Sequence, residues 1–352
     1  MNILLTGATG FVGKQLTKRL VETGHHVYAI IRNEKKAEKL LSSLPSNLRG
    51  RLSIVEGDVT QPKVGITSSL IEELLYNKID TVYHIAAYLS FDETEKQRTF
   101  QVNYEGTKNI LELAKQIKVK NFFHVSTAYT LGKNVYANER LNPVENRFVN
   151  SYEESKCHAE HLVFEYNEFF HVNIFRPAII IGDSNTGEAE TTFALHGIIR
   201  SFKLLKRMKD RKGDWKQGFK FLCNKETKQN LVPIDYVVTV LHAALSSAQN
   251  NKIYHITNSN PPTNQKLFEL IQEIIGFDGI EMVPTNYTGQ LTKEEQKFNQ
   301  PINVFYQYWE NTVTFDDSNT RELLSAANIS PLNLDQDALK KIILGNPAEQ
   351  PA

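Results

Sequence analysis

The stretch Thr6-Gly7-Ala8-Thr9-Gly10-Phe11-Val12-Gly13, which follows an apolar run at residues 1–5, decides the fold. Three glycines at intervals of three residues predict a strand, a tight turn and the start of a helix over residues 13–22. Gly7 permits the turn, Gly10 lets backbone N–H groups approach a pyrophosphate, and Gly13 lets the helix pack closely on the strand. The helix N-terminus supplies partial positive charge. We therefore expect a dinucleotide at this turn, with Thr9, Phe11 and Val12 beside the glycines.

The following part of the chain alternates short apolar strands with amphipathic helices. Strands are predicted at residues 25–31, 52–56, 80–85 and 122–125, and helices at residues 33–44 and around residues 102–114. Such alternation is typical of a parallel sheet covered by helices on both faces. The predicted fold is α/β, a Rossmann-type doubly wound parallel sheet with a smaller, mostly helical C-terminal substrate domain.

The composition is that of an ordinary globular protein. Of 352 residues, 41% are hydrophobic and 23% are charged, and forty basic residues balance forty acidic ones. A net charge of zero gives no overall attraction to nucleic acid, and nothing in the sequence resembles a nucleic-acid-binding fold. The two cysteines, Cys157 and Cys223, form no CxxC pair and no His/Cys cluster, so we expect a reducing compartment and no metal site.

The N-terminus and the hydropathy indicate a cytoplasmic protein. The first strand begins at residue 2, which leaves no room for a signal peptide. No apolar run reaches the ~18 residues that a transmembrane helix needs. We therefore expect a cytoplasmic location and no transmembrane segment.

The end of the second strand indicates which dinucleotide binds. NAD-binding proteins usually carry an acidic residue there for the ribose 2′-hydroxyl, whereas this chain has Arg32, followed by Lys35, Lys36 and Lys39. A guanidinium suits a 2′-phosphate, so the sequence favours NADP(H) over NAD(H). The alternative is that these basic residues form the solvated start of a helix.

Residues after the third and fourth strands converge on the same crevice. Asp58 and Val59 follow the third strand, and Ala86 and Ala87 follow the fourth. Since the carboxyl ends of parallel strands line the ligand crevice, we expect Asp58 to accept from the adenine amino group and the alanines to pass close to the cofactor. His84 lies within its strand, where a structural histidine is more common than a catalytic one.

A tyrosine and a lysine four residues apart form the second part of the predicted site. The helix that begins near residue 150 places Tyr152 and Lys156 on one face. An ammonium one turn away lowers the pKa of a phenol and prepares it to exchange a proton near neutral pH. Thr127 or Ser126, at the end of the fifth strand, would supply a second hydroxyl to a carbonyl oxygen. The non-catalytic alternatives are that Tyr152 and Lys156 share a helix face by chance, and that Ser126 and Thr127 only cap the strand end.

These motifs, in this order along nearly the whole chain, resemble those of an extended short-chain dehydrogenase/reductase. The glycine turn and Tyr152-Glu-Glu-Ser-Lys156 match that superfamily. Other stretches are similar to a narrower, male-sterility-like branch: the fatty acyl-CoA reductases and the terminal thioester-reductase domains of carboxylic acid reductases and peptide synthetases. Sugar-nucleotide epimerases share parts of these motifs. The stretches are Gly57-Asp-Val-Thr-Gln-Pro-Lys-Val-Gly65, His124-Val-Ser-Thr-Ala-Tyr129, Phe175-Arg-Pro-Ala-Ile-Ile-Ile-Gly-Asp-Ser-Asn-Thr-Gly187, Asn230-Leu-Val-Pro-Ile-Asp-Tyr236 and Phe315-Asp-Asp-Ser-Asn-Thr320.

The resemblance implies a role for each matched residue. Thr127 would be the hydroxyl partner of the substrate carbonyl, with Ser126 as its nearest competitor, and Tyr152 would donate the proton. Lys156 would modify the pKa of Tyr152 and bind the nicotinamide ribose, and Asn103 would shape the site. The segment that contacts the nicotinamide carboxamide would be Pro177, Ala178 and Ile179.

The chain also departs from the relatives that it resembles. It shows no adenylation or carrier domain upstream, and it lacks the extra C-terminal domain of many eukaryotic acyl-CoA reductases. We therefore expect an acyl thioester to arrive on another protein or as a CoA ester.

A basic segment lies in the C-terminal part. Residues 192–209 have the apolar spacing of a helix, and nine Lys and Arg residues occur from Arg200 to Lys220, against Asp210 and Asp214. CoA phosphates, an acidic acyl carrier protein or an anionic membrane in peripheral contact could use residues 200–220, and a solvated surface is the bland alternative. The aromatic residues within 280–311 are expected to form the core of the small domain, with a few lining an acyl tunnel.

The predicted function is NADPH-dependent reduction of an acyl thioester, on CoA or an acyl carrier protein, to an aldehyde or alcohol. Residues 1–182, joined by residues 229–256, would bind NADP, residues 183–228 and 257–345 would bind substrate, and residues 346–352 would form a tail. The same site would suit a ketone or secondary-alcohol oxidoreductase, or a nucleotide-sugar epimerase or dehydratase. A non-catalytic NADP-sensing regulator is an alternative of another class, and the oligomeric state is open.

Overall fold

The computed structural model describes residues 1–189, 195–212, 218–300 and 302–345. The chain divides into two compact units. The first comprises residues 1–178, 235–257 and 315–331, and the second comprises residues 179–234, 258–314 and the chain from residue 332 onward.

Strands and helices alternate along much of the described chain. The strands are β1 (Asn2–Thr6), β2 (His26–Ile31), β3 (Leu52–Glu56), β4 (Thr81–His84), β5 (Asn121–Val125), β6 (Tyr136–Ala137), β7 (His171–Pro177), β8 (Ile179–Ile181), β9 (Phe219–Leu222), β10 (Leu231–Pro233), β11 (Lys252–Ile256), β12 (Ile280–Val283) and β13 (Thr314–Phe315). The helices are α1 (Phe11–Glu22), α2 (Glu34–Ser43), α3 (Ser68–Tyr76), α4 (Lys96–Phe100), α5 (Gly106–Gln116), α6 (Ser151–Glu165), α7 (Leu195–Lys212), α8 (Ile234–Ser247), α9 (Asn264–Ile275), α10 (Lys293–Asn299), α11 (Tyr306–Glu310), α12 (Ser318–Ala326) and α13 (Gln336–Leu344).

A seven-stranded parallel sheet organises the first unit. Its strand order is β11-β7-β5-β4-β1-β2-β3, and all of its strand pairs are parallel. In β1, Ile3, Leu4 and Leu5 are fully buried, as expected for parallel strands that are covered on both faces. The predicted doubly wound sheet is confirmed.

The order of the strands places the ligand crevice. From β1 the chain proceeds to β2 on one side, whereas β4 lies on the other side of β1. The crevice at such a reversal lies beyond the carboxyl ends of the strands, which is where open α/β sheets bind ligands. The carboxyl end of β1 is Thr6, the first residue of the glycine turn.

The second unit contains two small parallel strand pairs and its own core. β8 pairs with β10, and β9 pairs with β12. The apolar face of α7 is buried against this core, and Phe221, Phe268 and Trp309 lie within it. Four more aromatics of the 280–311 stretch pack on the same core, as expected, whereas Tyr287 is exposed; the four are Phe298, Phe305, Tyr306 and Tyr308.

The basic side of α7 is only partly available to a partner. Lys206 donates to the carbonyl oxygen of Ile275 at 2.7 Å, and Lys209 pairs with Asp278 at 3.5 Å. Arg200 and Arg211 are exposed. The start of the predicted helix, at residues 192–194, and residues 213–217 of the basic segment lie outside the described residues. No helix in the described part of the chain is both long enough and apolar enough to cross a bilayer.

Candidate active site

The glycine turn has the geometry that a pyrophosphate site requires. Gly7 has a φ of +75°, and a Cβ built on it would lie 2.7 Å from the backbone nitrogen of Ala86. A Cβ on Gly13 would lie 2.1 Å from the carbonyl oxygen of Gly7. Both positions therefore need glycine, one for its backbone conformation and close approach, the other for packing of α1 on the turn.

The first turn of α1 is left open for an anion. Gly10 precedes α1 without a side-chain cap, and the first turn carries no acidic residue. The N–H of Gly10 donates to the carbonyl oxygen of Gly7 at 3.0 Å, so it is used within the turn. Phe11 and Val12 begin the helix, where N–H groups have no helical acceptor. These features, with partly exposed Thr9 beside them, fit the phosphates of a dinucleotide.

Thr6 and His84 join the ends of β1 and β4. The Thr6 Oγ1 accepts from the backbone N–H groups of Ile85 and Ala86, both at 3.2 Å, and lies 2.7 Å from His84 Nδ1. The other ring nitrogen of His84 lies 3.0 Å from Thr107 Oγ1. His84 is fully buried, so it has the structural role that its place within a strand predicted. Ala87, which follows Ala86, is exposed.

Arg32 and Asp58 meet beyond the ends of β2 and β3. A nitrogen of the Arg32 guanidinium lies 3.6 Å from a carboxylate oxygen of Asp58, and the Arg32 side chain is 66% exposed. Burial raises the pKa of Asp58, but hydrogen bonds from Thr60 and the charge of Arg32 outweigh it, so the pKa falls below its ordinary value. Both groups are thus charged and lie side by side. The carbonyl oxygen of Val59 accepts from the side chain of Asn109 at 2.8 Å.

The helix that carries Tyr152 and Lys156 is fixed at its start. The Asn150 side chain caps α6 by accepting from the N–H of Glu153 at 3.0 Å. The carboxylate of Glu93 accepts from the N–H of Ser151 at 3.0 Å, a contact that the sequence did not predict. Lys96 forms a further ion pair with Glu154, the next acidic residue of the first turn, at 2.6 Å.

Lys156 lies buried against the end of β5. Its side chain is among the largest that are fully buried. The Lys156 Nζ donates to the carbonyl oxygen of Val125 at 2.7 Å and lies 3.3 Å from His124 Nε2. Because Val125 immediately precedes Ser126 and Thr127, this contact brings the lysine to the predicted hydroxyls. Burial lowers the pKa of Lys156 from its ordinary value to about 8.

The predicted direction of the Tyr152 pKa is wrong in this structure. Burial, followed by the negative charge of Glu153, raises the pKa of the Tyr152 phenol above its ordinary value. The expected lowering rested on the ammonium of Lys156 one helical turn away, whereas burial dominates here. The ring of Tyr152 packs edge-on against Phe91, with ring centroids 6.5 Å apart. The phenol is therefore protonated at neutral pH.

The two candidate hydroxyls at the end of β5 differ in their contacts. Thr127 Oγ1 accepts from the N–H of Tyr129 at 3.3 Å, so it caps the short turn that follows the strand. The buried Ser126 Oγ has no hydrogen-bond partner among the described residues. The backbone N–H of Ser126 donates to the carbonyl oxygen of Phe175 at 2.7 Å. The hydroxyl of Thr127 can still donate a hydrogen bond, and the hydroxyl of Ser126 can both donate and accept one.

Asn103 lies where the helical segment before α5 changes its winding. Residues Gln101–Glu105 form a π-helical turn between α4 and α5, a feature often found at functional sites. The Asn103 side chain accepts from the N–H of Tyr88 at 2.7 Å and donates to the Tyr88 carbonyl oxygen and to Ser155 Oγ, both at 3.0 Å. It thereby ties the segment after β4 to α6.

The segment predicted to contact the carboxamide continues from β7. Pro177 is the last residue of β7, and Ala178 donates its backbone N–H to the carbonyl oxygen of Ile256 at 3.0 Å. Ile179 begins β8 and belongs to the second unit. Within the described residues, no three metal-ligating side chains come together.

The sheet, the glycine turn and the Tyr/Lys helix together define an extended short-chain dehydrogenase/reductase, an oxidoreductase that uses a nicotinamide cofactor. The family model described as male sterility protein matches residues 5–241. That match covers more than half of the chain, so the chain belongs to the male sterility protein family of NAD-binding domains. This confirms the branch inferred from the sequence motifs.

Relatives of several kinds are similar to this chain. It is 24% identical to a linear gramicidin synthase of Brevibacillus parabrevis over 97% of the chain and 7% of that protein. It is 31% identical to a fatty acyl-CoA reductase of Drosophila melanogaster over 52% of the chain and 37% of the relative. A 3β-hydroxysteroid dehydrogenase/isomerase of Mycobacterium tuberculosis is 31% identical over 47% of the chain and 42% of that enzyme. The chain thus matches less than half of the length of each.

Solved structures share the fold. The terminal R domain of the myxalamid biosynthetic pathway superposes with a TM-score of 0.79 at 23% identity, covering 98% of this chain and 90% of that one. The UDP-glucuronic acid 4-epimerase of Bacillus cereus, in complex with NAD, superposes with a TM-score of 0.70 at 21% identity, over 98% and 99%. At these identities the likeness shows the fold alone.

Proposed function

We propose that the protein is an NADPH-dependent reductase of acyl thioesters, with the thioester carried by CoA or by an acyl carrier protein. The observation that carries this proposal is that Lys156, four residues after Tyr152 on α6, donates to the carbonyl oxygen of Val125 at the hydroxyl-bearing end of β5. Reduction of a carbonyl needs a proton donor, which the phenol of Tyr152 would supply. The likeness to a fatty acyl-CoA reductase supports the thioester as substrate.

The residues divide the work in the following way. Thr127 and Tyr152 would donate hydrogen bonds to the thioester carbonyl oxygen and hold the negative charge that develops on it. Ser126 would be the alternative donor to the same oxygen. When bound, the cofactor would supply a hydride for the carbonyl carbon. Tyr152 would give its proton to the oxygen, which completes a hemithioacetal. As the C–S bond of the hemithioacetal breaks, the hydroxyl proton would pass to the departing sulfur, so that an aldehyde and a thiol are released. The aldehyde would be the product, or a second hydride and proton would convert it to an alcohol.

Lys156 and Arg32 would bind opposite ends of the cofactor. Lys156 would donate a hydrogen bond to the nicotinamide ribose, and its positive charge would favour loss of the proton from Tyr152. Arg32 would turn from Asp58 to the ribose 2′-phosphate, and Asp58 would accept from the adenine amino group. Asn103 would preserve the shape of the site through Tyr88 and Ser155. Ala86, Ala87, Pro177, Ala178 and Ile179 would line the cofactor.

The second unit is proposed to bind the rest of the substrate. Of the predicted substrate-binding residues 183–228 and 257–345, those that belong to this unit would enclose the acyl group. The exposed basic residues of α7 would attract the phosphates of CoA or an acidic carrier protein.

A panel of substrates tests the proposal. Purified protein, NADPH and acyl-CoA esters of increasing length should give NADPH oxidation, followed by its absorbance, together with release of one free thiol for each thioester reduced. Tyr152→Phe should lower kcat at least about 100-fold, because the proton donor is lost. Tyr76→Phe, a matched change at an 86% exposed tyrosine, should leave kcat unchanged.

A second candidate function is oxidation and reduction of secondary alcohols and ketones. It is favoured by the likeness to a 3β-hydroxysteroid dehydrogenase/isomerase. Turnover of ketones with no release of thiol from any thioester would establish this function and overturn the first. Binding of NADPH without turnover of either class would favour a cofactor-sensing regulator.

A further inference from the structure

Contacts within the described part of the chain use two of the three N–H groups of the Lys156 ammonium, so one remains for a ligand. An ammonium carries three donors and no acceptor. One donor is directed to the carbonyl oxygen of Val125 at 2.7 Å, and a second is directed to Nε2 of His124 at 3.3 Å. The third is the one that can reach the nicotinamide ribose or the phenol of Tyr152. The direction of this third N–H therefore depends on the two contacts that hold the other two.

The contact with Lys156 determines the tautomer of His124. Because the ammonium can only donate, the Nε2 of His124 must be the unprotonated nitrogen, and its hydrogen lies on Nδ1. His124 is fully buried, and its Nδ1 has no hydrogen-bond partner among the described residues. A buried N–H without a partner is costly. The imidazole thus keeps an unpaired N–H at Nδ1, among the described residues, while its Nε2 accepts from Lys156.

The neighbouring histidine has the opposite tautomer. Thr6 Oγ1 already accepts from two backbone N–H groups, so its own hydrogen points to Nδ1 of His84. The hydrogen of His84 therefore lies on Nε2 and points to Thr107 Oγ1, 3.0 Å away. His84 and His124 are paired across β4 and β5, with ring centroids 5.4 Å apart. His84 therefore hydrogen-bonds to Thr6 at the start of the glycine turn, and His124 hydrogen-bonds to Lys156.

The groups that can change the pKa of Lys156 lie on the neighbouring strands and on its own helix. His124 on β5 and His84 on β4 face it from the sheet, and burial lowers the pKa of both imidazoles, so both are neutral. On its own helix, Glu160 raises the pKa of Lys156, but that carboxylate is engaged by the buried Arg176 at 2.5 Å. From the sheet, Nε2 of His124 and the carbonyl oxygen of Val125 lie within hydrogen-bond distance of the ammonium, and hydrogen bonds to such acceptors favour its charged form.

We propose that His124 is a positioning residue, whose neutral Nδ1–H tautomer holds the ammonium of Lys156 against β5 and leaves one N–H directed at the cofactor and Tyr152. This inference rests on the proposed role of Lys156 in carbonyl reduction. It gives a role to a histidine that the motif His124-Val-Ser-Thr-Ala-Tyr129 alone leaves unassigned.

Two substitutions separate an acceptor role from a packing role. His124→Leu removes the acceptor, so the buried ammonium loses a partner and becomes easier to deprotonate. We expect the alkaline limb of the kcat/KM profile, which lies near the Lys156 pKa of about 8 in the unaltered protein, to move down by about one pH unit, roughly a tenfold loss on that limb. His124→Gln keeps a carbonyl acceptor and should restore the limb. An unmoved limb in a folded His124→Leu protein overturns the proposal, as does equal behaviour of the two variants.

A measurement on the unaltered protein covers the case in which His124→Leu does not fold. In a long-range ¹H–¹⁵N spectrum of the imidazole groups, the signals missing from His124→Gln identify His124. We expect a neutral ring with Nδ1 protonated across the neutral pH range. An Nε2–H tautomer or a charged ring would overturn the proposal. Since this spectrum needs no substrate, an Nδ1–H tautomer found together with a failure to reduce thioesters would refute the proposed substrate class alone.

Discussion

Gly13 is a residue at which the backbone leaves no space for a side chain. A methyl group there would lie 2.1 Å from the carbonyl oxygen of Gly7, so α1 would have to move away from the turn. We predict that Gly13→Ala lowers the free energy of unfolding by about 2 kcal/mol or more and weakens dinucleotide binding. Denaturant unfolding and fluorescence titration with NADPH would measure both effects.

Gly50→Ala is the matched control for that substitution. A Cβ at Gly50 has no atom within 4 Å, so this change should alter stability by less than about 0.5 kcal/mol. Equal effects of the two substitutions would contradict the packing argument at Gly13.

Arg32 is the residue on which the choice of dinucleotide depends. Its guanidinium is largely exposed and 3.6 Å from Asp58, so it can exchange that partner for a phosphate. We predict that Arg32→Ala raises KM for NADPH by about 10- to 100-fold, the loss of a charged hydrogen bond of about 1.5–3 kcal/mol, and leaves KM for NADH nearly unchanged. Arg321→Ala, which removes a similarly exposed guanidinium from its ion pair with Asp317, is the control and should leave both KM values unchanged. An unchanged NADPH/NADH preference in Arg32→Ala would show that the 2′-phosphate is bound elsewhere.

At the scale of the element, the start of α6 controls the position of Tyr152. Asn150 accepts from the N–H of Glu153, and Tyr152 lies in the first turn that this cap stabilises. We predict that Asn150→Ala costs about 1 kcal/mol of stability and also lowers kcat, because the first turn frays. Thr67→Ala, which removes the matching cap of α3 at Leu70, should cost similar stability and leave kcat unaltered. A kcat that falls equally in both variants would refute the local effect.

Elements with a clear period were predictable, and those without one were not. The predicted helix at residues 33–44 corresponds to α2 (Glu34–Ser43), because its apolar residues recur at helical spacing and Asn33 caps it. No strand is predicted at β7 (His171–Pro177), where the sequence offers only a family motif that begins at Phe175. The strand is buried along nearly its whole length, but buried Asn173 and Arg176 interrupt its apolar run, so neither alternation nor a continuous apolar stretch marks it.

At the scale of the whole molecule, Glu139 joins distant parts of the first unit. Its buried carboxylate accepts from the N–H of His255 at 2.7 Å, the N–H of Asn319 at 2.5 Å and the hydroxyl of Thr320 at 3.1 Å. We predict that Glu139→Ala lowers stability by about 3 kcal/mol, since three donors lose their acceptor. Hydrogen exchange should accelerate first in the opening turn of α12.

The control for Glu139 is a carboxylate without such contacts. Glu165→Ala, at the exposed C-terminal end of α6, should change stability by less than about 0.5 kcal/mol. Unaltered exchange in α12 of Glu139→Ala would show that this helix is held by its apolar contacts alone.

Local patterns in the sequence were enough to establish the parallel sheet, the glycine turn and the helix with Tyr152 and Lys156, since strand and helix periods and the need for glycine act within a few residues. Three properties became visible only in the folded chain: the raised pKa of Tyr152, the contact of His124 with Lys156, and the binding of Glu139 to a segment 180 residues further along. Burial and long-range contacts set these properties, because the free energy of a charge or a donor depends on every group packed around it, wherever that group lies in the chain.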